Sequence, residues 1–325
     1  MRNFLKCAGQ ATVVSLGMLA AGAAQAVWPT DQAIKLIVAQ APGGTNDTVA
    51  RIVAVELGKV LGQSVIIDNK PGASSAIGMQ AVVQAKPDGY TLGLASDSAA
   101  LLDTVRGART WKFKQDLQGV GMIGEQPISI AVSAKTPYQS LADVVKAAKE
   151  KPGELAYGTS GVGSSQHVVG EWLAKLAQAR LIHVPYKGGG QAMTDLVSGQ
   201  VPVAVLGLAP MLAQEKAGKV RIVAVTTPKR DPSVPKVPTL SELGYSQISL
   251  AQWAGVVAPA GTPPEVVKRL SDAMQKVLAL PAVKQQLLDA GVQPVLMDHL
   301  RFSEFLRTNV DMWSALVPSL NLKLE

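Results

Sequence analysis

The sequence predicts an α/β fold built as two lobes. Three observations carry this. Short apolar runs alternate with amphipathic helical stretches between residues 34 and 94, the signature of a parallel sheet with crossover helices. The alternation restarts near residue 155 and continues to residue 226. The chain then returns through one more apolar strand and ends in three helical segments, so its first and last parts share a lobe. The connections from strand to helix are rich in Gly, Ser, Thr, Asp and Asn. In parallel sheets that edge is where ligands bind, although the same residues also populate loops for conformational reasons alone.

The first unit spans residues 34–51. Ile34, Leu36, Ile37 and Val38 make a buried strand, and Pro42-Gly43-Gly44 breaks it. Asp47 or Asn46 is expected to cap the following helix, whose apolar face is Val49, Ile52, Val53, Leu57 and Val60. A glycine loop feeding a helix presents free backbone N–H groups with the positive end of the helix dipole behind them, a ready anion site. It is neither a Walker A loop nor a GxGxxG fingerprint. Arg51, one turn into the helix, reads as a structural partner.

The second unit is Val65-Ile66-Ile67, the loop 68–75 and a helix over 76–85. The third strand covers 90–94 and ends at Ala95-Ser96-Asp97-Ser98. Residues 99–127 read as irregular, with Trp111-Lys112-Phe113 packed. A strand over 128–132 leads to a helix over 140–149, where Ser140 and Asp143 resemble a capping box. The second lobe then runs as strand 155–157, serine loop 158–165, helix to 178, strand 181–184, glycine loop 185–190, helix to 198, strand 201–206 and strand 221–226. Residues 228–238 are proline-rich. Strand 253–258 returns to the first lobe, and helices follow over 264–278, 282–289 and 299–316. Two connections, near 126–133 and 246–258, form a hinge. The predicted division is 1–26 leader, 27–127 plus 250–325 lobe one, and 128–249 lobe two.

The leader reads as a secretory signal. Arg2 and Lys6 precede an apolar core over 11–21, and Ala24-Gln25-Ala26 is a small-x-small cleavage site. The core is too short and too rich in Ala and Gly for a spanning helix. Cleavage after Ala26 removes Cys7, the single cysteine among 325 residues, so the exported chain has no disulfide or thiol chemistry. It also takes Arg2 and Lys6 from the 31 basic residues, leaving 29 against 24 acidic ones, a net charge of +5. That charge is mild and scattered. With 4% aromatics and no basic run, nucleic-acid binding has no support.

Seven motifs in one order carry a resemblance. They are APGGTND, DNKPGASSAIG, KPDGYTLGLAS, YGTSGVGSSQH, HVPYKGGGQAMTDLVSGQV, AGKVRIVAVTT and WAGVVAPAGTPPEVV. Together they span essentially the whole exported chain, which resembles the solute receptors of tripartite tricarboxylate transporters, the Bug (Bordetella uptake gene) family. The resemblance implies a type II periplasmic-binding-protein fold: two α/β lobes, a two-strand hinge and a ligand cleft between them. It implies that loops 42–47 and 159–165 face each other and hold a carboxylate through backbone amides. Ligand-binding candidates are Gly43, Gly44, Thr45, Asn46, Asp47, Ser75, Ser96, Thr159, Ser160, Gly163, Ser164, Ser165, Tyr186 and Leu206. Gly44 is expected where a side chain would intrude. Thr45 and Asn46 are bulkier than the family's usual residues, and Leu206 replaces an acid of the family's VDLMFDN motif.

The function this implies is a periplasmic receptor that delivers a small carboxylate to a membrane permease, acts as a monomer and needs no cofactor. His167, His183 and His299 have no zinc-ligand spacing, so no metal is expected. His167 is placed to hydrogen-bond the backbone of the serine loop. Tyr186 either walls the cleft or packs its lobe. Two other classes remain: an accessory that presents its ligand to a membrane sensor, and a serine esterase or amidase using Ser164 or Ser165. No GxSxG elbow supports the latter. Edman sequencing of the exported protein is expected to begin at Val27; retained Met1 would count against the exported-receptor reading.

Overall fold

The computed structural model describes residues 28–29, 32–105 and 111–321. The leader and Cys7 lie outside the described residues. Strand β1 (Ile34–Val38) runs into helix α1 (Thr45–Leu61), and β2 (Val65–Asn69) into α2 (Ala76–Val83). Strand β3 (Thr91–Ser96) passes directly into the single turn α3 (Asp97–Ala100), followed by α4 (Leu102–Val105) and α5 (Phe113–Asp116). The three strands pair in parallel in the order β2-β1-β3. On β1 the period-two alternation sends Ile34, Leu36 and Val38 into the core beneath α1, and Ile37 into the core on the opposite face. Helices therefore cover both faces.

The expectation of an irregular stretch over 99–127 is corrected. Residues 102–105 and 113–116 are helical, and strand β4 (Leu117–Ser133) begins well before residue 128. Gly119, Gly121 and Gly124 hid it, because glycines weaken a strand signal. They are needed for close approach. A Cβ on Gly119 would lie 2.9 Å from the Phe302 ring, and one on Gly124 would lie 2.5 Å from the carbonyl oxygen of Gln293. Trp111 and Phe113 are buried as expected.

Helix α6 (Leu141–Glu150) starts with a full capping box. Ser140 accepts from Asp143 N at 3.2 Å, and Asp143 accepts from Ser140 N at 2.9 Å. The second lobe continues with β5 (Ala156–Thr159), α7 (Ser165–Leu176), β6 (Ile182–Pro185), α8 (Gly189–Ser198) and β7 (Val203–Gly207). Then come α9 (Leu208–Lys216), β8 (Val220–Val225) and β9 (Ala251–Pro259). The chain closes with α10 (Pro264–Ala279), α11 (Pro281–Asp289), β10 (Gln293–Met297) and α12 (His299–Ser319). The sequence reading assigned neither α9 nor β10. Strand β10 is five residues long with a proline inside, which masks its pattern.

The sheets are mixed rather than purely parallel. Parallel strands β7-β5-β6 form the core of the second lobe, and β3 is followed by antiparallel β9 and β4. The first half of β4 pairs with β9 and β10, and its second half with β7 and β8. One strand is thus shared by both lobes. Ile128 on β4, Thr226 after β8 and Leu250 before β9 meet at the crossover. The Thr226 hydroxyl accepts from Ile128 N at 3.0 Å and donates to Leu250 O at 2.8 Å. Thr226 N donates to Ile128 O at 3.0 Å, and Leu250 N to Thr226 O at 3.1 Å. Thr226 is fully buried. Among the described residues no helix is long and apolar enough to cross a membrane.

Thr226→Val keeps the shape and deletes both hydroxyl bonds, leaving Ile128 N–H unsatisfied in the interior. Denaturant titration is expected to show a loss of about 1–3 kcal/mol with an unchanged m-value.

Candidate functional site

A cavity of about 200 Å³ lies between the lobes. Its first-lobe wall is Ala39 and Gln40 after β1, residues 72–75 before α2, and Ser98 on α3. Its second-lobe wall is Ser160, Gly161, Val162 and Ser164 before α7, with Pro185 at the end of β6 and Tyr186 and Lys187 after it. These segments follow the carboxyl ends of β1, β2, β3, β5 and β6, the edge the sequence indicated. The volume is below the ~300–1,000 Å³ of sites for drug-sized ligands. Only a small molecule fits.

The loop entering α1 is held by Asp47. Helix α1 begins at Thr45 with Gly44 as N-cap, so neither Asn46 nor Asp47 caps it. Asp47 instead occupies the third helical position and reaches back to accept from Gly43 N at 3.1 Å. It also accepts from Arg51 Nε at 3.0 Å and Asn69 Nδ2 at 3.0 Å. Burial opposes its charge, but Arg51, the Gly43 N–H and Asn69 outweigh it and hold the carboxyl below its usual range. Arg51 is the structural partner the sequence suggested. Thr45, Asn46 and Asp47 are all buried.

Residues 73–75 are strained. Ala73, Ser74 and Ser75 have φ of 47°, 51° and 80°, the left-handed region that costs non-glycine residues on the order of 1–3 kcal/mol each. The turn aims the Ser74 hydroxyl across the seam at the carbonyl oxygen of Val162. Ser98 makes a second crossing: its hydroxyl lies 3.2 Å from that of Ser165 and accepts from Ser165 N at 3.2 Å. Sequence reasoning chose Ser75 and passed over its neighbour Ser74, since only the backbone geometry distinguishes them. Ser98 and Lys187 were missed for the same reason.

In the serine loop Ser164 is the N-cap of α7. Its hydroxyl accepts from His167 N at 3.2 Å and donates to Gly161 O at 2.8 Å. Ser160 donates to the Gln166 side chain. His167 Nδ1 accepts from Gly163 N at 3.1 Å, the backbone contact expected of it. Its ring stacks on His183 at 3.7 Å between centroids, and His183 Nε2 lies 2.7 Å from Thr159 Oγ1. Burial pushes His167 down to about 3, helped by His183, and burial pushes His183 down to about 4. Both rings are neutral at neutral pH and brace the loop. Neither Ser164 nor Ser165 pairs with an imidazole.

Of the residues singled out in the sequence, Ser75, Ser160, Ser164 and Tyr186 line the cavity. Tyr186 walls it while its hydroxyl donates to Asp195 at 2.7 Å. Thr159, Gly163 and Ser165 stand directly behind, supporting the loop. The Ser96 hydroxyl is buried without a hydrogen-bond partner. Leu206 belongs to the apolar core of the second lobe. Residues 42–44 meet a different segment from the one expected: they pack on the 188–190 glycine run rather than on residues 159–165. Gly44 itself has room, its added Cβ coming no closer than 3.6 Å to any neighbour. The tight positions are across from it. A Cβ on Gly190 would lie 2.6 Å from Pro42 O, and one on Gly188 3.0 Å from Ala41 N.

The comparisons with known proteins agree with this geometry. Residues 49–322 match the tripartite tricarboxylate transporter family receptor model. The chain belongs to that family. Among solved structures it is similar to the periplasmic binding protein BugD, with a TM-score of 0.87 and 27% identity over 90% of this chain and 99% of BugD. It is similar to Rpa4515 of Rhodopseudomonas palustris with adipate, with a TM-score of 0.86 and 30% identity over 90% of this chain and 98% of that one. For MatC of the same organism with bound malate the TM-score is 0.83 and the identity 27%, over 87% and 98% of the two chains. This tricarboxylate-family receptor therefore has the two-lobed periplasmic-binding-protein fold.

Gly190→Ala is expected to wedge the lobes apart at Pro42, at a cost of about 1–3 kcal/mol to the closed arrangement. Small-angle scattering should report a larger radius of gyration for it and no change for Gly44→Ala. Equal radii for both variants would remove the glycine run from the closing contact.

Proposed function

We propose that the protein is an exported receptor that captures a small carboxylate between its lobes and delivers it to a membrane permease of the tripartite tricarboxylate type. The observation that carries this is the small interlobe cavity walled by Ser74, Ser75, Ser98 and Ser160 and by Ser164, the N-cap of α7. Apart from Lys187 its lining is neutral. An anion there faces the positive end of the α7 dipole and takes over hydrogen bonds that the serine hydroxyls and the amides of Gly163, Ser164 and Ser165 otherwise make within the protein, donors that suit a carboxylate. Ala39, Ala73 and Val162 offer the apolar contact a short hydrocarbon body needs. Malate and adipate in the two Rhodopseudomonas palustris structures support the same class.

Residues 27–127 with 250–325, and 128–249, are the units that close on each other, hinged where β4 and the segment before β9 cross. The receptor works as a monomer in the periplasm after cleavage behind Ala26. Its function needs amide donors on two lobes and a hinge, and no nucleophile, base or cofactor. The stabilising contacts of Ser164 and His167 are those of a helix cap rather than of a hydrolase. A plain carboxylate is preferred over an amino acid because Leu206 stands where the family carries an acid; that leaves Asp97 and Asp47 as the acids an ammonium could meet, and Asp47 is already paired with Arg51.

A thermal-shift panel of short mono- and dicarboxylic acids, aromatic acids and acidic amino acids tests the ligand class. The bound acid is expected to stabilise the protein by roughly 2.7 kcal/mol at a hundredfold excess over its dissociation constant. That corresponds to a rise of several degrees in Tm. A response to aspartate or glutamate alone would overturn the plain-carboxylate preference and leave the receptor assignment standing.

A further inference from the structure

Asp97 is the first residue of α3, at the seam where the lobes meet, and it is 0% exposed. Neither carboxylate oxygen accepts a hydrogen bond. The next residue, Ser98, lines the cavity and makes the contact to Ser165 on the opposite lobe. The buried carboxyl therefore lies one residue behind the cavity wall, at a contact that exists only when the lobes are together.

No ion pair offsets it: Lys187, the cation of the cavity lining, is solvent-exposed and is not paired with Asp97. Strands β3 and β9 and residues 73–75, which pack on α3, carry no titratable side chain. On α4, Asp103 accepts from Phe113 N and Lys114 N. On α5, Lys114 pairs with Asp311 of α12, and Asp116 accepts from Lys112 N. On α7, His167 is held by Gly163, Glu171 accepts from the Tyr157 hydroxyl, and Lys175 donates to Leu320 O. On α12, Arg301, Glu304, Arg307 and Asp311 face solvent, and His299 lies beside Ser271 on α10. Asp97 is in no ion pair among the described residues.

We propose that this receptor takes up one proton, on Asp97, each time its lobes close over a carboxylate, so that capture tightens as the surrounding pH falls. The inference rests on the carboxylate reading of the cleft. A buried carboxylate without a cation and an anionic ligand sealed in the same seam cannot both stay ionised at low cost. Protonating Asp97 removes the conflict. Parting the lobes breaks the Ser98–Ser165 contact and returns water to the seam, so the open form holds Asp97 as an ordinary ionised acid.

The sign follows from linkage. Burial pushes Asp97 in the closed form up to about 7, softened by the Ser165 hydroxyl, the Gln252 side chain and the N–H groups of Ser98 and Asp97, which lie near without pairing. An open-form carboxyl titrates near ~3.9. Between these values the closed form holds a proton that the open form lacks. Closure is therefore favoured below the closed-form value and weakens as pH rises towards it, levelling off above. His167 and His183, neutral across this window, add nothing. A ligand ammonium seated against Asp97 would give the opposite result, holding the carboxylate ionised with no proton taken up.

Calorimetry of the exported chain with adipate, in two buffers of unlike ionisation enthalpy, tests this. At about pH 6 the apparent enthalpy is expected to differ between buffers by the amount for close to one proton taken up, and the dissociation constant to rise about tenfold by about pH 8. Asp97→Asn should lose both effects in the same buffers. Where that variant does not fold, the two-buffer measurement on the unmodified chain decides alone. Adipate bound with no buffer dependence, or a pH dependence retained in Asp97→Asn, overturns the inference and leaves the carboxylate reading intact. If adipate, malate and the rest of the acid panel all fail to bind at any pH, the carboxylate reading falls and this inference with it.

Discussion

Strand β4 passes through both lobes, and every element of the cleft is placed relative to it. Its first half pairs with β9 and β10 and its second half with β7 and β8. The Thr226 hydroxyl fastens the crossover by bridging Ile128 and Leu250. A continuous strand resists stretching and shear but twists easily between its two sets of partners. The lobes can therefore rotate about this point while their own sheets stay intact, which is what a closing cleft requires.

Closing brings backbone against backbone. Glycines at 188 and 190 let the second lobe approach the 41–43 segment, where a single Cβ would collide. The Ser74 and Ser98 hydroxyls then cross to Val162 and Ser165. The cavity left between these contacts is small and, apart from Lys187, lined by neutral residues. Around it the ionisable groups are either locked in pairs, as Asp47 with Arg51, or held neutral by burial, as the two stacked histidines are. Asp97 is the buried exception, and on the proposal above its lack of a partner at the seam makes closure a protonation event as well as a mechanical one.

The same economy explains why strained residues gather at this edge. Three consecutive left-handed residues at 73–75 stand between β2, which pairs with β1 and contacts α1, and α2, which packs on β1 and β3; these fix the ends of the turn. The strain positions one hydroxyl that no regular turn would aim across the seam.

The sequence by itself determined the alternation of strands and helices, the two-lobed plan and the edge at which the cleft opens. These follow from local periodicity, from glycine and serine loops, and from caps such as Ser140 with Asp143, all readable within a few residues. It also pointed to Ser75, Ser160, Ser164 and Tyr186. Only the tertiary structure decided the rest. The glycines of β4 read as breaks until Phe302 and Gln293 were packed against them. Gly44 and Gly190 look alike in sequence, yet only at the second would a Cβ collide with a carbonyl oxygen. Asp97 reads in sequence as an acid that a ligand ammonium could meet, and its full burial without a partner is set by the packing of α3 against elements from distant parts of the chain, α7, β9 and α12 among them. Contacts between segments far apart in the chain set each of these properties, and no local pattern encodes them.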